Sequence, residues 1–368
     1  MIPRKIQTLV EKTWFHSGKI VLLLGARQVG KTTLIKSFQF SDALYLNCDL
    51  DEHLEIIDTT SLLTIQKTLS DYHTLIIDEA QRLTNPGLTL KIIYDNFPGI
   101  KILATGSSSF ELKNRLSDTL TGRYLDFILY PISVSEAATS ENYKPYLSDL
   151  LLYGGYPEIY IQKDNNFKKK LLEKIIESYL FKDILSFSRV RNSLALKNLT
   201  RALAYQIGSE INENELANRL KIDRKTVLSY LDILEKSFII IRLYPYSRNP
   251  RREIGRRYKV YFVDLGLRNA LIGDFNSLNV RSDSGALWEN FLVVERRKKL
   301  SFEDRTPTTY FWRDYSGAEI DYVEESPLTA FEFKYSQNNL SRSAHAFKSR
   351  YHIPVNLINR EKLNKFLF

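Results

Sequence analysis

The segment Gly25-Ala26-Arg27-Gln28-Val29-Gly30-Lys31-Thr32 constrains this chain more than any other stretch of it. It has the form G-x-x-x-x-G-K-[ST] and lies between an apolar strand-like run, Lys19–Leu24, and a segment of helical pattern, Thr33–Phe40. Strand, glycine-rich turn and helix in that order make a phosphate cradle. The glycines let backbone N–H groups turn inward around anionic oxygens, and the helix N-terminus adds positive potential. Lys31 then reaches the β- and γ-phosphates of a nucleotide, and the Thr32 hydroxyl is a Mg²⁺ ligand. The expected lining is Gly25, Ala26, Arg27, Gln28, Val29, Gly30, Lys31, Thr32 and Thr33, with ATP and Mg²⁺ as the cofactors.

A second element supports the first. Leu75-Ile76-Ile77 is an apolar strand that ends in Asp78 and Glu79. Beside a phosphate loop, Asp78 is the expected Mg²⁺ partner, directly or through water, and Glu79 is placed to deprotonate the attacking water. Ala43–Asn47 supplies a further strand between the two motifs, and Ile102-Leu103-Ala104 runs into Thr105-Gly106-Ser107. This arrangement resembles the P-loop ATPases with a catalytic glutamate and an inserted strand. In that branch a polar residue ending the next strand helps position the water, so Thr105 or Ser107 is expected in the role. Arg115 and Arg123 are candidates for an arginine finger on the γ-phosphate, in cis or from a neighbouring subunit, with Arg123 preferred. Short apolar strands separated by helices over residues 1–140 imply a parallel α/β sheet covered on both faces.

Composition narrows the remaining classes. A length of 368 residues predicts two or three domains. The single cysteine, Cys48, excludes an intramolecular disulfide and a Cys-rich zinc site, and the five histidines form no metal-spaced cluster. Near the N-terminus no apolar run approaches the ~20 residues of a membrane span, and no signal h-region is visible. The reading is a cytoplasmic protein without a membrane partner. A net charge of +9 admits an anionic partner and says nothing about fold.

Residues 141–194 read as a helical lid or linker, interrupted at Gly154-Gly155 and Pro157. Residues 195–272 read as three helices and a two-stranded ribbon. Within them Asn214–Leu220 and Arg224–Lys236 are joined by Lys221-Ile222-Asp223, with Asp223 as N-cap of the second helix. Val227, Tyr230, Leu231 and Leu234 form that helix's inward stripe, so its first turn presents Arg224, Lys225 and Thr226. The pair resembles a helix-turn-helix with its recognition helix. The ribbon's loop, Ser247–Lys259, carries Arg248, Arg251, Arg252, Arg256, Arg257 and Lys259 against Glu253 alone. It looks like the wing of a winged helix, where such a cluster makes salt-dependent phosphate contacts with DNA. Winged helices also dock proteins, and the arginines have an alternative counter-charge in the acidic stretch Ser41–Ala80.

After a Gly/Asp/Ser/Asn-rich stretch, Gly273–Ser284, that reads as a linker, residues 273–368 read as a helix followed by strands. Asp321 lies on one strand, and Glu332 and Lys334 share a face of the next. Two carboxylates and a lysine can hold Mg²⁺ and activate water for phosphodiester cleavage. The spacing resembles the D-x(n)-E-x-K core of restriction-endonuclease-like folds, with Glu289 matching the acidic residue of their preceding helix. A degenerate fold used for binding carries the same residues.

Taken jointly, Gly25–Thr32, Ile76–Gln81, Thr105–Ser109, Leu120–Arg123, Gly154–Glu158, Lys259–Gly266 and Trp312–Asp321 resemble a widespread prokaryotic family of AAA-type P-loop ATPases. Its C-terminal domain of unknown function combines a winged helix with a restriction-endonuclease-like unit. The resemblance implies ATP binding and hydrolysis, and the expected function is an Mg²⁺-dependent ATPase coupled to a DNA-binding winged helix, with nuclease activity as an extension. The alternative is a nucleotide-dependent switch or scaffold that docks protein partners with little turnover and no DNA cleavage. A finger in trans would require a homo-oligomer, which the sequence leaves open.

Overall fold

The computed structural model describes residues 2–38, 42–107, 120–178, 190, 192–247 and 257–368. The chain forms two compact units, one of Pro3–Tyr130 with Lys236–Phe238 and one of Pro131–Glu235 with Ile239–Phe368.

The first unit is built on five parallel strands: β1 (Ile20–Leu24), β2 (Ala43–Asn47), β3 (Thr74–Asp78), β4 (Lys101–Gly106) and β5 (Tyr124–Ile128), in the order β2-β3-β4-β1-β5. The central strands are runs of Ile, Leu and Val because they are buried on both faces; every residue of β1 and β3 is buried. On one face Ile20, Leu22 and Leu24 pack with Leu75, Ile77, Ile102 and the helical residues Ile65, Leu69, Leu90 and Ile93. The helix Gln7–His16, with Val10 and Trp14 buried, packs on β1 and β4. Parallel register then has a functional consequence. Leu24 pairs with Gly106 and Ile77 with Ala104, so the C-terminal ends of β1, β3 and β4 emerge at one edge.

The second unit carries a mixed six-stranded sheet, β11-β10-β9-β8-β6-β7. Its strands are β6 (Ile240–Pro245), β7 (Lys259–Phe262), β8 (Thr309–Arg313), β9 (Glu319–Glu324), β10 (Thr329–Phe333) and β11 (Val355–Ile358). The ribbon expected from sequence is β6 and β7, which pair antiparallel. Tyr244 and Pro245 of β6 also pair in parallel with Tyr310 and Phe311 of β8, so the ribbon is one end of the larger sheet. At the β7 edge the Asn290 amide takes the place of a neighbouring strand: it accepts from Phe262 N (2.8 Å) and donates to Phe262 O (2.7 Å). The helix Arg342–Tyr351 and strand β11 lie beyond the last element read from sequence.

The stretch Gly273–Ser284, read from composition as a linker, is tied down by buried arginine. Arg281 donates to Asp283 (2.7 Å), Asp274 O (2.6 Å) and Asn269 Oδ1 (3.2 Å), while Arg268 also holds Asp283 (2.6 Å). These two guanidiniums keep the Asp283 carboxyl at about 2: burial opposes this, and the hydrogen bond from Arg281 and the charge of Arg268 outweigh it.

Asp264 explains two glycine motifs at once. It caps the helix Leu265–Ile272, accepting from Leu267 N (3.1 Å), and its other oxygen accepts from Gly155 N (2.7 Å). Side chains at Gly154 or Gly266 would collide with Asp264 or with the Tyr153 carbonyl, so only glycine allows the carboxylate this close. Burial raises the Asp264 pKa against the pull of these N–H donors. Asp264→Ala strands the Gly155 and Leu267 donors, and we expect the variant to lose ~2–4 kcal/mol in chemical denaturation, with Gly266→Ala destabilised alongside it.

Candidate functional site

At the C-terminal edge of β1, residues Gly25–Gly30 make a tight loop into the helix Lys31–Lys36. Gly30 has φ 96°, a left-handed conformation that suits glycine. A Cβ at Gly25 would strike the Leu129 carbonyl oxygen. Arg4 braces the loop from outside by donating to Val29 O (2.9 Å) and to Tyr130 O. Lys31 turns its ammonium onto the loop itself, donating to Gly25 O (3.0 Å) and Ala26 O (3.1 Å). Burial lowers its pKa, with Glu79 and Asp78 opposing. Arg27, Gln28 and Thr33 are exposed, while Gly25, Ala26 and Val29 are buried.

Asp78 is the centre of the site. It is 1% exposed at the end of β3, and hydroxyls from three other elements converge on it. Thr32 Oγ1 donates to Oδ2 (2.7 Å), Tyr45 Oη donates to the same oxygen (2.8 Å), and Thr105 Oγ1 donates to Oδ1. Thr105 also accepts from Glu79 N (3.0 Å), which fixes the backbone of the neighbouring glutamate. Glu79 has φ 56°, an uncommon conformation for a residue with a side chain, and one concentrated at functional sites. Gln81 Nε2 donates to the Glu79 carboxylate and to Ser107 Oγ (3.1 Å). The structure therefore brings Lys31, Thr32, Asp78, Glu79, Thr105 and Ser107 together.

This donor set fits a phosphate-bound divalent cation: an alcohol and a carboxylate 2.7 Å apart at the mouth of a glycine cradle, with an ammonium alongside. Sequence reasoning missed Tyr45 and Gln81. The signals were present, since Tyr45 lies on the strand leading toward this edge and Gln81 follows Glu79 by two positions.

Arg123 is not brought to this site. Register pairs Ile20 with Tyr124, which puts Arg123 at the opposite end of β1 from the loop, roughly 16 Å away along five strand residues. There it makes a two-pronged ion pair with Asp95 (2.8 and 3.1 Å). Arg115 lies outside the described residues.

In the second unit the turn before the helix Arg224–Lys236 is as expected: Asp223 accepts from Thr226 N (2.9 Å) and from its hydroxyl (2.6 Å). Arg224 is engaged by Glu213 (2.5 Å), whereas Lys225 and Arg257 are exposed. Arg248, Arg251, Arg252 and Arg256 lie outside the described residues. Lys259, counted with that basic loop, is instead 2% exposed and carries its ammonium inward to Glu289 (2.9 Å) and Glu319 (2.5 Å).

That lysine changes the C-terminal cluster. Glu289, Glu319 and Asp321 offer carboxylate oxygens within 4.8 Å of one another. Glu289 also accepts from Tyr261 Oη (2.6 Å), and Asp321 accepts from Phe333 N (2.6 Å). Burial, then the charge of Glu289, push the Asp321 carboxyl up to about 8, with Lys259 opposing. Burial alone would lower Lys259, but Glu289, Glu319 and Asp321 hold it above its ordinary range. Glu332 faces Lys334 (3.1 Å) and Ser341 N (2.9 Å) and is not one of the three gathered carboxylates. Sequence reasoning thus found Glu289 and Asp321, and missed Glu319 and the internal counter-ion.

Residues 17–138 match the family described as AAA domain, 144–278 a domain of unknown function (DUF8612), and 284–364 another (DUF4143). The uncharacterized protein Rv2008c of Mycobacterium tuberculosis is 30% identical over 336 residues, covering 89% of this chain and 73% of that protein. The uncharacterized protein MJ1544 of Methanocaldococcus jannaschii is 24% identical over 361 residues, covering 90% and 78%. Among solved structures, AMPPCP-bound DnaA from Aquifex aeolicus aligns over 62% of this chain and 86% of its own, at 16% identity and a TM-score of 0.30. PCH-2 of C. elegans aligns over 61% and 66%, at 15% identity and 0.24. The chain belongs to the same family as the mycobacterial protein, and within it to the AAA-type P-loop ATPase class with a C-terminal domain of unknown function.

Proposed function

We propose that this protein is an Mg²⁺-dependent ATPase whose nucleotide cycle acts on a DNA-binding module in the second unit. The observation that carries the reading is the convergence of Thr32, Tyr45 and Thr105 on Asp78, beside Lys31 and Glu79. Thr32 and Asp78 would hold Mg²⁺, which when bound would supply positive charge to the β- and γ-phosphate oxygens. Lys31 exchanges the Gly25 and Ala26 carbonyls for phosphate oxygens. Glu79 takes a proton from water as that water's oxygen bonds to the γ-phosphorus, and the bond to the β–γ bridging oxygen breaks to release ADP. Thr105 keeps Asp78 and the Glu79 backbone in register, and Ser107 faces the same space through Gln81. Lys31→Ala should abolish ATP binding, and Glu79→Gln should retain binding while slowing turnover by ~10²–10⁴-fold. Steady-state phosphate release and a nucleotide titration check both, and unchanged turnover in the two variants overturns the reading.

The DNA part rests on Lys225, Arg257 and the arginine-rich loop, with the helix-turn-helix and ribbon read as a winged helix. Replacing Arg251, Arg252, Arg256 and Arg257 together should weaken duplex binding and flatten the slope of log K against log salt by as much as ~3–4. A titration at several salt concentrations measures it, and wild-type behaviour in the quadruple variant, or no binding by wild type, favours docking of a protein partner.

One observation favours the reading without cleavage at the C-terminal cluster. The Lys259 ammonium already supplies the positive charge between Glu289 and Glu319 that a divalent ion would otherwise provide. We expect wild type and Asp321→Ala to leave supercoiled DNA equally intact in Mg²⁺. Nicking by wild type that Asp321→Ala removes would restore metal-dependent nuclease chemistry to Asp321, Glu332 and Lys334.

A further inference from the structure

Gln81 is a polar side chain beside Glu79 to which the proposed hydrolysis gives no task of its own. Its Nε2 donates in two directions, to the Glu79 carboxylate and to Ser107 Oγ (3.1 Å). The orientation of the amide is dictated by charge: turned over, its carbonyl oxygen would face a carboxylate. Its Oε1 is buried and, among the described residues, accepts from no group. Leaving a buried acceptor without a donor is unfavourable, which an amide present only for packing has no reason to incur. The backbone around it is equally constrained. Glu79 is held at φ 56° by its N–H bond to Thr105, and Ala80–Arg82 is a single 3₁₀ turn. The base, the amide and the Ser107 hydroxyl therefore sit on two adjacent strand ends, β3 and β4, joined by one side chain.

We propose that Gln81 is a positioning residue for ATP hydrolysis: its N–H group clamps Glu79 to Ser107, and its Oε1 accepts a hydrogen bond from the water that Glu79 deprotonates. The inference rests on the ATPase reading and adds a residue to it. A water in that place donates one hydrogen to Glu79, which becomes the transferred proton, and the other to Gln81, which stays in place. Gln81 thus sets the direction of the water's lone pair without exchanging a proton. The clamp also makes Ser107 a lever: a γ-phosphate oxygen that attracts the Ser107 hydroxyl draws on Gln81, and through it on Glu79.

The test compares wild type with Gln81→Leu, Gln81→Glu, Ser107→Ala and the Gln81→Leu/Ser107→Ala double variant. Steady-state ATP hydrolysis and binding of a fluorescent ATP analogue are measured on the full chain. Gln81→Glu keeps the shape and sets an acceptor against the Glu79 carboxylate, so it stays informative should the leucine fail to fold. The expected result is a kcat ~10–100-fold lower in both Gln81 variants, with KM and analogue affinity within ~3-fold of wild type. The double variant should lose less than the product of the single losses, because both changes cut the same connection. Unchanged kcat in the Gln81 variants, while wild type turns over, overturns this inference and leaves the ATPase reading standing. Equal loss of kcat and analogue affinity in both variants assigns Gln81 a structural role and also overturns it. A wild type without turnover fails the ATPase reading, and the inference with it.

Discussion

A carboxylate taken out of water must find hydrogen-bond donors to replace the solvent it loses. Asp78 solves this with hydroxyls from three different elements, and the first unit is arranged around that solution. Thr32 reaches it only because the glycine loop turns the chain back at the end of β1. Tyr45 reaches it only because β2 is added outside β3, and Thr105 only because β4 lies between β3 and β1. Parallel register then delivers all of these groups to the same edge. The bonds that pin the carboxylate in the protein are the same ones a cation would loosen, so structure and chemistry meet in one side chain.

The second unit uses buried charge differently. Asp264 is held by backbone N–H groups, Asp283 by two guanidiniums, and the Glu289–Glu319 pair by Lys259. Breaking such a group by removing one partner leaves an uncompensated buried charge or donor, while the intact pair contributes little net stability. What these pairs provide is placement. The Arg281 contacts fix the segment between the helices Leu265–Ile272 and Ser284–Phe302, and Lys259 fixes β7 against both the latter helix and β9.

The phosphate loop, Asp78, Glu79 and the strands of the first unit were legible in sequence because their signals are local. Each strand is a short apolar run, and Asp78 and Glu79 stand where one of them ends. The pairing of β6 with β8 was not legible, since nothing in Tyr244-Pro245 marks a partner across more than sixty residues, at Tyr310-Phe311. Lys259 was read as surface charge because its neighbours in sequence are arginines; only the contribution of Glu289 and Glu319 from distant elements makes its burial affordable. Arg123 illustrates the same limit. Its motif looked functional, but strand direction decides which end of the sheet it occupies, and direction follows from pairings that its neighbours do not announce.

Cys48 has a practical consequence. It follows β2, donates its backbone N–H to Asp78 O (3.0 Å), and is 3% exposed. Burial pushes its thiol up to about 12, with Asp58 and Asp78 adding to the effect. At neutral pH it is therefore neither a thiolate nor accessible to a reagent. Because it is the only cysteine in the sequence, the natural protein already serves as its own silent background for thiol chemistry. A maleimide dye or spin label placed on an introduced surface cysteine would report from that position alone, one in each unit if need be, with the residue behind the nucleotide site left untouched.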